Sequence, residues 1–191
     1  NMQKAARVIV SEYGGDFPAD YEKLLSLPGL GHYTAGAVSS IAFGIPMPAV
    51  DGNVLRVLSR VTASYEDVLK QSVKTAMEAE VKKIIPADRA GDFNQALIEI
   101  GAIVCVPNGK AKCEICPLAF LCEAYKKGIV DELPKKKVKK QRRIEDRTIL
   151  ILKEGDRVGI RKRPSNGLLA GLYELPGLEG HLSEEEVLAQ V

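Results

Sequence analysis

A chain of 191 residues with 46% hydrophobic and 27% charged side chains has the balance of a globular protein, with room for one ordinary domain and part of a second. No apolar run approaches the roughly 20 residues of a membrane helix and no charged-then-apolar signal peptide opens the chain, which excludes membrane and exported classes and predicts a cytoplasmic protein. The net charge of +2 says little by its size; its placement, described below, says more.

In chain order, the apolar spacing of Ala5, Val8 and Ile9 predicts an amphipathic helix from the outset. With Asn1 where a start methionine would stand, the front of the chain is expected to be cut. In LPGLGHYTAG, Pro28, Gly29 and Gly31 predict a tight hairpin between a helix ending near Ser26 and another starting near His32. Such a turn is a plain connector or a phosphate holder, since glycines admit close backbone approach and a helix N-terminus favours an anion. The next helix, TAGAVSSIAFG, is rich in small residues that allow close packing. Asp51, before Gly52, Asn53 and the apolar rhythm of Val54, Val57 and Leu58, reads as a helix N-cap. A helix N-terminus favours the charged form of a capping aspartate, and a fixed carboxylate can stabilise a cationic sugar. Cap and catalyst are compatible roles.

Residues 72–85 and 92–104 carry three-and-four apolar spacing and are predicted helices. All four cysteines, Cys105, Cys113, Cys116 and Cys122, fall in one short stretch with gaps of seven, two and five residues. Without an export signal so tight a cluster favours a metal, either tetrahedral zinc or an iron–sulfur cluster, over disulfides or unligated buried cysteines. Next, PKKKVKKQRR (134–143) holds seven basic and no acidic residues, leaving 20 basic against 25 acidic elsewhere. That strip is a solvated linker, a phosphate-attracting strap, or both. Beyond it, residues 147–163 form two β-branched runs around Glu154, Gly155 and Asp156, the pattern of a hairpin. Ser183 and Glu186 have capping-box spacing at the head of a last helix. About 45 residues after the linker sit near the size below which a core seldom stands alone, so a second domain is expected to be cut short.

Taken together, LPGxGxYTAxAVxSIAF, VDGNVxRVLxR and FNQALxxxGxxxC leading into four cysteines resemble the adenine DNA glycosylases of the MutY type, over most of residues 1–125. The resemblance implies a mainly α helix-hairpin-helix glycosylase domain with an iron–sulfur loop over 1–133, then a basic linker over 134–146. The endonuclease III branch of the superfamily has a lysine nucleophile after its GxG and an aspartate in a DTH setting. Tyr33 and the DGN of Asp51, Gly52 and Asn53 stand at those positions here. The resemblance further implies a four-iron four-sulfur cluster on the four cysteines. Seven residues separate Cys105 from Cys113 where the family usually has six, the extra one falling in the PNGK turn. LLAGLYELPG is similar to the start of the Nudix-like domain with which MutY enzymes sense 8-oxoguanine, which makes 147–191 the opening of a truncated α+β domain. SEEEVLAQV lacks the RExxEE pattern of a Nudix hydrolase, so no pyrophosphatase chemistry is expected.

What the resemblance implies mechanistically is removal of adenine from double-stranded DNA carrying an adenine mispair, by a monomer with no membrane partner. The nucleotide must be extruded while phosphates are clamped beside it. Leu27, Pro28, Gly29, Leu30 and Gly31 would hold the backbone, with Lys135, Lys136, Lys137, Lys139 and Lys140 as a basic strap. Asp51 would stabilise the oxocarbenium-like sugar, with Tyr33 and Asn53 in support. The family's general acid is a glutamate on an earlier helix, and no glutamate of this sequence matches its motif. Two other readings stand beside this one: a bifunctional glycosylase and lyase, which the absent lysine disfavours, and a noncatalytic DNA-binding module with a structural metal.

Overall fold

The computed structural model describes residues 1–137 and 144–190. The chain divides into two compact units, Asn1–Val138 and Lys139–Val191. The regular elements of the first are α1 (Met2–Tyr13), α2 (Tyr21–Ser26), α3 (His32–Phe43), α4 (Gly52–Val61), α5 (Gln71–Ile84), α6 (Ala90–Glu99) and α7 (Glu123–Lys126), with a π-helical turn at Ile100–Val104 and 3-10 turns at Cys113–Ile115 and Val130–Glu132. Among the described residues no helix is long and apolar enough to cross a membrane.

Two helices of this unit, α2 and α4, start where a carboxylate offers an acceptor for their free N–H groups. The Asp20 carboxylate accepts from the Lys23 N–H at 2.9 Å to open α2, and Asp51 does the same for α4. Such a cap contributes about 1 kcal/mol. Apolar faces then decide the packing. Ala5 and Ile9 of α1 meet Leu24, Leu27 and Ala35, while α4 sends Val54, Leu55 and Val57 against Val50, Val68, Val81 and Leu97. Between these clusters lies Asn94 of α6, 1% exposed. Its amide nitrogen donates to Ser40 Oγ at 2.8 Å and to the Met47 carbonyl at 2.9 Å, while its oxygen accepts from the Ala49 N–H at 3.1 Å. One buried side chain thus ties α3 and α6 to the extended segment that delivers Asp51. Removing it would leave several buried groups unpaired, at a cost of about 1–3 kcal/mol.

The helix expected over 92–104 is α-helical only to Glu99. Beyond that, the Cys105 N–H reaches back five residues to the Ile100 carbonyl at 2.7 Å. The cause lies across the interface: Arg56 of α4 donates to the Gly101 carbonyl at 2.6 Å and to the Cys105 carbonyl at 2.7 Å. A buried guanidinium that needs acceptors draws carbonyls from the last turn, and the wider turn supplies them.

In the second unit, β1 (Arg147–Ile149), β2 (Lys153–Glu154), β3 (Arg157–Val158), β4 (Arg161–Lys162), β5 (Tyr173–Glu174) and β6 (Gly177–Glu179) precede α8 (Glu184–Leu188). The expected hairpin is present as antiparallel β2–β3, with Glu154 opposite Arg157. It is shorter than the β-branched runs, because β1 pairs with β6 and β4 with β5. Glu174 joins β4 to β5 by accepting from both Arg161 and Arg163. The capping box forms as the spacing predicts: Ser183 Oγ accepts from the Glu186 N–H at 3.3 Å, and the Glu186 carboxylate accepts from the Ser183 N–H at 2.8 Å. No described residue of 144–190 is buried.

Candidate functional site

Asp51 is the N-cap of α4, and three donors hold its carboxylate. Oδ1 accepts from the Asn53 and Val54 N–H groups at 2.8 and 2.9 Å, and Oδ2 accepts from Asn53 Nδ2 at 2.9 Å. The carboxylate therefore has one orientation at a helix N-terminus, where negative charge is favoured. Asn53 is fixed in turn, its Oδ1 accepting from Arg56 Nη2 at 2.8 Å. Gly101 packs directly on Asn53: a Cβ there would lie 2.6 Å from Asn53 Cβ and 3.0 Å from its backbone. Only glycine fits without displacing the residue that aims Asp51. Tyr33 stands in the first turn of α3, 41% exposed. No hydrogen bond joins it to Asp51; α6 packs against both α3 and α4.

Two buried arginines carry α4 toward the cysteines. Arg56 and Arg60 are 6% and 5% exposed. Burial pulls the Arg56 guanidinium below its ordinary value; the Cys105 charge opposes this, Arg60 adds to it, and Asp51 opposes it. Arg60 donates through Nε to the Leu133 and Val130 carbonyls at 2.9 and 3.1 Å. Through Nη1 it donates to Cys105 Sγ and the Val106 carbonyl, both at 3.2 Å. Cys122 Sγ returns a contact to the Arg60 carbonyl at 3.5 Å. All four cysteines line one pocket together with Arg60, Val57 and Leu118. Burial pushes the Cys113 thiol up, helped by the charges of Cys105, Cys122 and Cys116 and opposed by Arg60. Among the described residues no group of three or more His, Cys, Asp or Glu side chains is arranged to hold a metal ion. The donor set itself is all sulfur, with a guanidinium aimed at one thiol, which suits a sulfur-ligated group that brings negative charge into a largely apolar pocket.

Leu27 to Gly31 form the expected turn between α2 and α3, and its parts divide the work. Leu27 is 2% exposed, and both it and Leu30 pack in the α1–α3 core. Their N–H groups are engaged internally, Leu27 to the Leu24 carbonyl at 3.2 Å and Leu30 to the Leu27 carbonyl at 3.1 Å. Pro28 has no N–H. The two leucines therefore anchor the turn in the core, and the exposed backbone belongs to Gly29 and Gly31. Gly29 has φ 92°, a conformation that only glycine adopts without strain, and a Cβ there would also strike Asn1. Gly31 has open space around it and φ −105°. The first hydrogen bond of α3 runs from the Ala35 N–H to the Gly31 carbonyl at 2.9 Å, so the N–H groups of His32, Tyr33 and Thr34 have no intrahelical partner.

The basic strip begins on the helical unit. The Lys135 carbonyl accepts from the Val68 N–H at 3.2 Å, and its ammonium lies 5.1 Å from the Tyr65 ring centre and 3.9 Å from Glu132. Glu132 also accepts from the Tyr65 hydroxyl at 2.9 Å. Lys135 is thus held in place, whereas Lys136 lines a depression shared with Asp51, Gly52 and Lys74. Lys137 is exposed. Lys139 and Lys140 lie outside the described residues.

Comparison with known proteins gives this arrangement relatives. A helix-hairpin-helix motif model matches residues 12–41, from the end of α1 through α3. The adenine DNA glycosylase of Homo sapiens is 33% identical over 96% of the chain, and that of Schizosaccharomyces pombe is 35% identical over 80%. The adenine DNA glycosylase of Buchnera aphidicola subsp. Schizaphis graminum is 30% identical over 98%. The chain is a homologue of the adenine DNA glycosylases. It spans 42%, 42% and 54% of the lengths of those three relatives. Among solved structures, an endonuclease III in a non-covalent complex with DNA superposes with a TM-score of 0.56 and 35% identity, over 68% of this chain and 58% of that one. A thermostable thymine-DNA glycosylase gives 0.55 and 35%, over 66% and 57%. The helical architecture is therefore shared with these two solved structures.

Three structural residues of this adenine glycosylase homologue carry no role in the sequence reading: Arg56, Arg60 and Asn94. The signal for the first two is present in retrospect. Two arginines four apart on α4 lie among Val54, Leu55 and Val57, so the buried side of the helix carries charge. A charge placed there must have partners.

Proposed function

We propose that this chain contributes the Asp51 half of an adenine DNA N-glycosylase acting in base excision repair on adenine opposite 8-oxoguanine or guanine. The observation that carries the proposal is the Asp51 carboxylate, held by three donors at the head of α4 in a chain homologous to adenine glycosylases over nearly its whole length. As adenine departs, positive charge builds at the sugar, and a carboxylate already oriented stabilises it without reorganising. Asn53 and Arg56 keep it aimed, and Gly101 leaves room for them. Gly29, Gly31 and the free N–H groups at the head of α3 hold a phosphate, with Lys136 and Lys137 adding charge near the same unit. Tyr33 has no amine, so no Schiff base forms there and the product strand stays intact at the abasic site. Residues 147–191 are proposed as the start of a Nudix-like domain that reads the opposing 8-oxoguanine; LLAGLYELPG supports this reading.

Cys105, Cys113, Cys116 and Cys122 would hold a four-iron four-sulfur cluster, which when bound ties residues 105–122 together through thiolate bonds. Protein isolated anaerobically should be brown and contain about four iron and four sulfide per chain. Stoichiometric zinc without sulfide would overturn that assignment and return the site to the structural-metal alternative.

The activity itself is tested by single-turnover release of adenine from a duplex carrying adenine opposite 8-oxoguanine. Residues 1–191 alone should bind the duplex without releasing adenine. Joining the acid-bearing upstream segment of an adenine glycosylase relative should restore release, without borohydride trapping at Tyr33. Efficient trapping would favour the bifunctional reading, and no release by the joined protein would favour the noncatalytic one.

A further inference from the structure

Directly after Gly31, the first residues of two helices meet. Tyr21 opens α2, His32 opens α3, and the Tyr21 hydroxyl lies 2.9 Å from His32 Nδ1, with the two rings tilted by 41°. His32 is exposed, and its Nε2 has no partner among the described residues. Tyr21 is half-buried. Burial, with the charges of Glu78 and Glu22, pushes its phenol up, which keeps the hydroxyl protonated and able to donate.

We propose that Tyr21 and His32 act as a coupled phosphodiester contact of the hairpin, Tyr21 fixing the imidazole so that its Nε2–H is offered to the DNA backbone beside Gly31. The chemistry follows from the hydrogen bond. When the phenol donates to Nδ1, the neutral ring must carry its proton on Nε2, the nitrogen left open to solvent. A donor fixed next to the free N–H groups of His32, Tyr33 and Thr34 extends the anion seat from backbone to side chain. Tyr21 is here a positioning residue: its ring packs on the same core as Leu27 and Leu30, and its hydroxyl reaches out to His32. The inference rests on the DNA-binding reading above and adds a specific pair to it.

The test is a double-mutant cycle on the 191-residue chain, with affinity for an undamaged duplex measured by fluorescence anisotropy and the thermal midpoint measured alongside. His32→Ala should weaken binding about tenfold, the scale of one hydrogen bond to a charged group, and Tyr21→Phe about threefold. The double variant should bind no more weakly than His32→Ala alone. His32→Gln, which retains an N–H donor, should recover part of the loss. Independent, multiplying effects would overturn the coupling, and unchanged affinity with a lowered midpoint would make the pair only a staple between α2 and α3. If the unaltered chain did not bind duplex, the DNA reading itself would fall; binding that is intact and indifferent to both substitutions would sink only the pair.

Discussion

Asp51→Asn should lower the single-turnover rate of adenine release by a factor of roughly 100 or more, while duplex binding persists. The assay is that of the joined protein carrying the acid-bearing segment, on adenine opposite 8-oxoguanine. The substitution keeps an oxygen where Oδ1 accepts the Asn53 and Val54 N–H groups, so the cap survives. At the other position, however, an amide NH₂ would face Asn53 Nδ2, which now donates to Oδ2 at 2.9 Å. Turning the Asn53 amide would relieve that conflict but withdraw the oxygen that accepts from Arg56 Nη2. The variant should therefore cost about 1–3 kcal/mol of stability, more than the small cost expected of a cap exchange alone. A variant that released adenine at the original rate would reduce Asp51 to a cap.

Gly31→Asp should move stability and binding in opposite directions. Gly31 is the N-cap of α3, with φ −105° and nothing within 4 Å of a Cβ built on it. An aspartate fits there and caps the helix better than glycine by a few tenths of a kcal/mol, so the thermal midpoint should hold or rise slightly. Yet its carboxylate would occupy the seat of a phosphate beside the free N–H groups of α3. Duplex affinity should fall at least tenfold, with a shallower salt dependence, each lost phosphate contact removing roughly 0.9 from the slope. Gly31→Ser caps without charge and should retain most of the binding. Gly29 cannot serve for this comparison, because its φ of 92° and its closeness to Asn1 would make any side chain there a folding defect. Unchanged affinity in Gly31→Asp would make the hairpin a plain connector.

The features legible in the sequence were those written locally. The N-cap at Asp51, the hairpin at Leu27 to Gly31, the capping box at Ser183 and Glu186 and the helix over 72–85 each follow from residues within a few positions of one another, and each is found. What escaped depends on partners far along the chain. Arg56 meets Cys105 49 residues away, and Asn94 reaches Ala49 across 45; no periodicity announces such pairs. The shortened β2–β3 hairpin has the same origin, since β1 finds β6 and β4 finds β5 in competition with the local turn. Within the hairpin, the sequence marked all five residues alike. Only packing separates the two leucines that anchor it from the two glycines that remain open.

The wide turn at Ile100–Val104 works as an index mark. A helix advances roughly 100° per residue, so its residue count sets the direction in which anything beyond it faces. The five-residue reach from Cys105 to Ile100 inserts one additional step between the part of α6 that packs on α3 and the first cysteine. Point substitutions can vary the surface of this stretch without disturbing the count. Deleting Ala102 or Ile103 would restore an ordinary helical turn and swing Cys105 out of register with Cys113, Cys116 and Cys122, while sparing every side chain that lines their cavity. At its exposed positions, Ala102 and Ile103, the length of this segment is thus constrained more tightly than its composition.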